Sequence, residues 1–317
     1  MPHLLIAGKL HPAGLALLDR GDGVTFDYVE EVSEPSYAPL IGKADGLVIR
    51  TQPLSATTIA DAARLKIVSR HGVGYDSVDV AALNKRRIPL CVVGDANSLS
   101  VAEHAMMLIL ACAKQAIRAD RTVRIGPWGW RNQLEAGEIS GKRLLIVGYG
   151  RSGRHLARMT EGFGMHVCAF DPFLAESEWP AGPVSPVTSL SDALASADVV
   201  SLHVPKAGRP ILGADEFTRI KPGAIVVNTA RGGIIDEAAL ASALADGRVA
   251  AAGLDVFDDE PPAKDHPLLG FDQVVLSPHI AGLTQQAAER MAVSSVQNVI
   301  DFFAGRLDPD LIVNRDF

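Results

Sequence analysis

At 317 residues the chain is long for a single hydrophobic core, and its length argues for about two domains. Hydrophobic residues make up 48% and charged residues 21%, which excludes an intrinsically disordered chain. The net charge of −7 gives no electrostatic ground for nucleic acid or an anionic membrane as partner, although a local basic pocket can still take a small anion.

The N-terminus enters the apolar run Leu4-Leu5-Ile6-Ala7 without a basic segment or a small-residue cleavage site, so no signal peptide is expected. Strands are predicted over 4–7, 24–28, 46–49, 66–69 and 89–93, with amphipathic helical segments such as 57–63 and 78–85 between them. Asn97-Ser98 then caps a long helical run, predicted as one continuous helix from Leu99 to about Arg118 and buried on several sides. Its most apolar part, 105–113, is too short for a bilayer span, which needs ~20 residues. Gly126-Pro127-Trp128-Gly129-Trp130-Arg131 reads as an irregular excursion.

A second alternating series begins at Lys142, with strands predicted over 143–147, 166–170, 199–203, 224–228, 249–254 and 273–276, and a last helix from Thr284 to about Ala304. The pattern is α/β twice over, with parallel sheets. Cys91, Cys112 and Cys168 sit singly in apolar stretches and show no metal-ligand spacing, so they read as reduced packing residues and no metal is expected. A soluble, cytoplasmic protein is the expectation.

The second series opens on a phosphate-binding turn. The apolar run Leu144-Leu145-Ile146-Val147 leads into Gly148-Tyr149-Gly150-Arg151-Ser152-Gly153 and then a helical pattern carrying Leu156, Met159, Thr160 and Phe163 on one side. Gly148 permits the tight turn, Gly150 lets a pyrophosphate approach the backbone, and Gly153 lets helix pack on strand. N–H groups at the helix start then face the pyrophosphate. Asp171 ends the next strand, 171 − 150 = 21 residues beyond the middle glycine, where a carboxylate accepts from ribose hydroxyls and repels a 2′-phosphate. The following Pro172-Phe173-Leu174 offers no cation for that phosphate, so NAD is expected over NADP.

Polar sites follow at later strand ends, where open α/β sheets bind ligands. Asn228-Thr229-Ala230-Arg231-Gly232-Gly233 offers a guanidinium whose planar fork can engage the carboxylate and carbonyl of a 2-keto acid. Asp255-Val256-Phe257-Asp258-Asp259-Glu260-Pro261 offers carboxylates, and Ser277-Pro278-His279 an imidazole suited to moving a proton near neutral pH. A carboxylate beside that ring would orient it and favour imidazolium. Taken singly, each of these residues also reads as an ordinary surface or loop group.

In their order these motifs resemble the D-isomer-specific 2-hydroxyacid dehydrogenases, over nearly the whole chain. The resemblance implies a Rossmann-type cofactor domain, 99–284, inserted into a discontinuous flavodoxin-like substrate domain, 1–98 plus 285–317, with a cleft between them closing on the ligands. It implies Arg231, Glu260 and His279 as the catalytic set and Asp255 as the group holding the nicotinamide carboxamide. It also implies Arg151, Ser152, His203, Val204, Thr229 and Gly282 as further cofactor contacts beside the glycines and Asp171. The loop His71-Gly72-Val73-Gly74-Tyr75-Asp76 matches the family's substrate loop, with Val73 and Gly74 as backbone donors to the carboxylate. Arg50 occupies a position where phosphoglycerate dehydrogenases carry an anion-binding arginine, and Arg70 lies at the next strand end; two solvated arginines are the alternative reading. The expected substrates are therefore 3-phosphoglycerate or its keto acid, then hydroxypyruvate and glyoxylate. A homodimer through the cofactor domain is implied, with the Trp128–Trp130 stretch as an arm toward the partner. The C-terminal regulatory domain of long phosphoglycerate dehydrogenases is not expected here. An NAD(H)-sensing interaction module, co-repressor-like, is the alternative of a different class.

Overall fold

A computed structural model describes residues 1–19, 23–174, 179–206 and 208–315. The expected domain ranges also take in 20–22, 175–178, 207 and 316–317, which lie outside the described residues. The chain divides into two compact units, Met1–Asn97 with Leu283–Phe317, and Ser98–Gly282.

The first unit opens with β1 (His3–Ala7), α1 (Pro12–Asp19), β2 (Thr25–Val29), α2 (Glu34–Tyr37), β3 (Gly46–Ile49), α3 (Ala56–Asp61), β4 (Ile67–Arg70), α4 (Val80–Lys85) and β5 (Leu90–Cys91). The second unit follows with α5 (Ser98–Ala113), α6 (Ala116–Ile125), β6 (Arg143–Val147), α7 (Arg151–Glu161), β7 (His166–Phe170), β8 (Ser185–Pro186) and α8 (Leu190–Leu194). It ends with β9 (Val199–Leu202), α9 (Ala214–Arg219), β10 (Ala224–Asn228), α10 (Glu237–Ala245), β11 (Val249–Leu254) and β12 (Val274–Leu276), after which α11 (Gln285–Phe303) returns to the first unit.

In the first unit the strands are parallel in the order β2-β1-β3-β4-β5, the flavodoxin arrangement. Its central strands are apolar along their length because both faces are covered, as parallel sheets require. One cover is α11, whose Ala292, Val296 and Val299 are buried with Leu4, Ile6 and Val48. The seven-stranded parallel sheet of the second unit runs β12-β11-β10-β9-β6-β7-β8, reversing direction between β6 and β9 as Rossmann sheets do. Apolar clusters again cover both faces.

The predicted helix over 99–118 is in fact two. α5 stops at Ala113, Gln115 takes a left-handed backbone (φ 52°), and α6 resumes at Ala116. The break falls where burial ends: Ala111, Cys112 and Ala113 are buried, while α6 buries no residue. The stretch read as irregular is in part a 3-10 turn, Trp128–Gln133. The strand predicted over 89–93 shrinks to Leu90–Cys91 because Val92 donates instead to the Leu311 carbonyl, and the segment around Ile312 pairs antiparallel with Cys91. On α7 the buried side is Gly153, Leu156, Ala157 and Thr160, whereas Phe163 lies beyond the helix and is exposed. All the cysteines are free and buried, and burial pushes the Cys91 and Cys112 thiols up to about 12. No helix among the described residues is long and apolar enough to cross a membrane.

Candidate functional site

The glycine turn lies where β6 meets α7. Gly148 has φ +96°, and a Cβ there would lie 2.6 Å from the His203 carbonyl oxygen. A Cβ on Gly153 would overlap the Gly148 carbonyl, so α7 packs at backbone contact. A Cβ on Gly150 would meet nothing within 4 Å, which leaves open space in front of the N–H groups that begin α7. Asp171 is fixed just past β7, with Oδ2 accepting from Tyr149 N at 2.8 Å and Oδ1 from Phe173 N at 2.9 Å. Each carboxylate oxygen retains a lone pair for a ribose hydroxyl.

Next along the sheet, β9 and β10 pair Leu202 with Asn228, which sets His203 beside Thr229. His203 Nδ1 and Thr229 Oγ1 are buried without a hydrogen-bond partner, and the His203 Nε2 shares a proton with Ser201 Oγ at 2.8 Å. Burial pushes the His203 pKa down to about 4, so its ring is neutral in the folded chain near neutral pH. Orphaned buried polar atoms call for a ligand or water. Together with the bare Gly150 cradle, they fit a bound dinucleotide.

Farther along the same sheet, Asn228 shapes the turn after β10: its Oδ1 accepts from Ala230 N at 3.0 Å and its Nδ2 donates to the Arg231 carbonyl at 2.8 Å. The Arg231 side chain is half-buried and donates from Nη1 to the Ala230 carbonyl at 2.6 Å. This turn is bonded to the Glu260 loop. A Cβ on Gly232 would overlap the Phe257 carbonyl, and Gly233 N donates to Asp258 Oδ1 at 2.5 Å. Glu237, in the first turn of α10, accepts from Asp258 N at 2.9 Å and from the His266 ring at 3.0 Å.

Glu260 and His279 come together. Glu260 Oε1 accepts from Phe257 N at 3.1 Å, and Oε2 lies 2.7 Å from His279 Nδ1. A carboxylate in this position favours the ring tautomer with its hydrogen on Nδ1 and makes no bond to Nε2. His279 itself is left-handed, φ 52°, a conformation rare for a residue with a Cβ. Its neighbours are pinned by Asp255, whose side chain is shut off from solvent: Oδ1 accepts from Ile280 N at 2.9 Å and Ser277 Oγ at 2.5 Å, and Oδ2 from Ala281 N at 2.8 Å.

In the first unit, β3 pairs Ile49 with Arg70 of β4, so Arg50 and His71 follow at adjacent strand ends. Arg50 Nη1 reaches the Lys9 carbonyl at 3.4 Å, and Arg70 Nη1 the carbonyls of Ile49 and His71 at 3.4 and 3.3 Å. Gly72, at φ +149°, turns the chain into the exposed Val73 and on to Gly74. His71 is 6% exposed with Nε2 unpartnered, and burial, then the charge of Arg50, pushes its pKa down to about 4.

Among the polar groups near these strand ends, His71 of the first unit and Asp258 and His104 of the second are absent from the expected contacts; His104 Nε2 lies 2.8 Å from Ser277 Oγ. His71 opens the loop His71–Asp76, for which the sequence suggests only the backbone donors Val73 and Gly74. Asp258 was one acid among several. His104 lies on the largely buried α5, just before its apolar run 105–113, and a polar residue on such a helix is the signal available for it.

The model of the D-isomer specific 2-hydroxyacid dehydrogenase NAD binding domain matches residues 106–281. Among curated proteins, the D-3-phosphoglycerate dehydrogenase of Mycobacterium bovis is 38% identical over 315 residues, which is 98% of this chain and 59% of that enzyme. The chain thus spans well under two thirds of that relative's length. The glyoxylate reductase of Korarchaeum cryptofilum is 35% identical, covering 98% of this chain and 96% of the relative. Among solved structures, a protein of Thermus thermophilus superposes with a TM-score of 0.87 at 30% identity, covering 97% of this chain and 98% of that one. With a family match across more than half its residues and a relative of similar length 35% identical, the chain belongs to the D-isomer specific 2-hydroxyacid dehydrogenases.

Proposed function

We propose that the chain is an NAD-dependent oxidoreductase that interconverts a small D-2-hydroxy acid and its 2-keto acid. The observation that carries this reading is the 2.7 Å pair of Glu260 and His279 on a left-handed backbone, in a unit that also carries the open glycine turn. The bound nicotinamide supplies or accepts hydride. His279 gives a proton from Nε2 to the nascent hydroxyl in reduction and takes it in oxidation, while Glu260 keeps the ring oriented. Arg231 binds the carboxylate and carbonyl through its planar fork.

Gly148, Gly150, Arg151, Ser152, Gly153, Asp171, His203, Val204, Thr229, Asp255 and Gly282 hold the dinucleotide. Asp171 carries the preference for NAD over NADP. In the first unit Val73 and Gly74 offer N–H groups to the substrate carboxylate, and Arg50 with Arg70 takes a second anionic group. That pair ranks 3-phosphoglycerate and its keto acid first, with hydroxypyruvate and glyoxylate next. A second copy of the chain covers α6 and the turn after it, where Ile117, Val123, Ile125 and Trp128 are exposed, and the assembly works in the cytoplasm.

The test is loss of NADH absorbance with purified protein over glyoxylate, hydroxypyruvate, 3-phosphohydroxypyruvate, 3-sulfopyruvate and oxaloacetate, repeated with NADPH. Turnover concentrated on one acid is the expected result. NADH binding without turnover of any acid would overturn it and favour the sensing module.

A further inference from the structure

We propose that His104 is a positioning residue for His279, acting through Ser277 and Asp255. The proposal rests on the assignment of His279 as the proton-transfer group, and its own ground is a directed chain of hydrogen bonds. The register of β11 on β12 pairs Leu254 with Leu276, so Asp255 and Ser277 emerge side by side at the strand ends. α5 lies against β11 at close range: a Cβ on Gly253 would come 2.8 Å from Leu108 Cβ. His104 is one turn before Leu108 on the same helix face and is thereby brought to both residues. Its Nε2 lies 2.8 Å from Ser277 Oγ and 3.5 Å from Asp255 Oδ1.

Chemistry fixes the direction of the chain. The ionised Asp255 carboxylate only accepts, so the Ser277 hydroxyl points its proton at Oδ1. The hydroxyl oxygen then has only lone pairs left for the histidine, and His104 must carry its proton on Nε2. A carboxylate removed from solvent is tolerated where donors reach it, and here Ser277 and Ile280 donate to Oδ1 and Ala281 to Oδ2, which keeps one acceptor site over. Those residues flank His279, whose own N–H donates to the Asp255 carbonyl at 2.7 Å. The left-handed backbone of His279 is thus fixed from both sides by a single aspartate. Such a conformation persists only where its surroundings over-determine it. Without His104 the Ser277 hydroxyl is free to rotate off Oδ1, and the segment carrying His279 relaxes.

The experiment uses the full chain with His104→Ala, His104→Gln and Ser277→Ala. Gln places an amide N–H near the position of Nε2. Amide hydrogen exchange read by mass spectrometry should rise in peptides covering 277–282 for His104→Ala and Ser277→Ala, and stay near wild type elsewhere and in His104→Gln. With hydroxypyruvate and NADH as probes, kcat should fall roughly 10- to 100-fold in both disrupting variants, KM and NADH affinity staying within about twofold, as for a misplaced catalytic group. His104→Gln should recover most of the loss. Unchanged exchange in 277–282, exchange raised throughout the chain, unchanged kcat in His104→Ala, or a Gln variant as impaired as Ala would each overturn the proposal. If the wild-type chain turns over none of the acids, the function assigned above fails, and the exchange comparison still decides whether His104 holds the segment.

Discussion

The two sheets secure the polar groups at their strand ends differently. In the seven-stranded sheet carboxylates do it at short range: Glu260 on His279 at 2.7 Å, Asp258 on Gly233 at 2.5 Å, Asp255 on Ser277 at 2.5 Å. In the five-stranded sheet Arg50 and Arg70 reach neutral carbonyls at 3.3–3.4 Å. On the function proposed above, the cross-ties suit His279, because a proton-transfer group loses rate when it strays by an ångström. On the same proposal Arg50 and Arg70 recognise an anion, a task that an adjustable side chain serves better.

That contrast can be broken from either side. The largest effect expected is on the tied side: His279→Gln should lower kcat about 10²- to 10⁴-fold while leaving NADH affinity intact, as measured by steady-state turnover and by fluorescence titration. Turnover near wild type would remove His279 from the reaction.

Next comes acid. His71 and His203, one in each unit, have pKa values pushed down to about 4 from 6.5, so an unfolded chain binds protons that the folded chain refuses. Their contribution is intact above about pH 6.5, declines as pH falls toward 4, and is fully lost below it, by up to about 3 kcal/mol for each ring. Urea midpoints at pH 7.5 and pH 5 measure this loss, and His71→Gln should abolish the share of the first unit.

A smaller change is expected for Arg50→Gln, which should raise the KM for 3-phosphohydroxypyruvate roughly 10- to 100-fold, the worth of a charged hydrogen bond, and leave glyoxylate within about threefold. Equal losses on both acids would deny Arg50 its part in selecting a second anion. Smallest is Asp171→Ala, which should narrow the preference for NADH over NADPH by about tenfold by removing charge repulsion and the ribose contact.

Much of this was readable in advance, for physical reasons that differ by residue. Strands buried on both faces have to be continuous apolar runs, so 143–147, 166–170, 224–228 and 249–254 could be bounded without a structure. The glycine turn was legible because close backbone approach leaves no substitute for glycine, as the overlap awaiting a Cβ at Gly153 demonstrates. The break at Gln115 was not legible, because a helix that leaves its core keeps its propensities and loses only its burial. β8 was missed because Ser185–Pro186 is too short for any period. The tie from Asp255 to Ser277 and His104 was hidden for another reason: its members are separated by 22 and 173 residues, and it takes the register of β11 on β12 and the packing of α5 on β11 to bring them together.

The order of synthesis follows from one feature of the fold. The sheet begun by β1 is finished by residues made after the second unit: Ala292, Val296 and Val299 help bury one face, Asn298 donates to the Val92 carbonyl at 3.1 Å, and Asn314 accepts from Leu90 N at 2.7 Å. Everything in Ser98–Gly282 is translated between those two instalments. On the ribosome the contiguous unit can close as soon as it emerges. The strands made before it must wait, one apolar face covered only in part by Leu10 and Leu18, until α11 arrives.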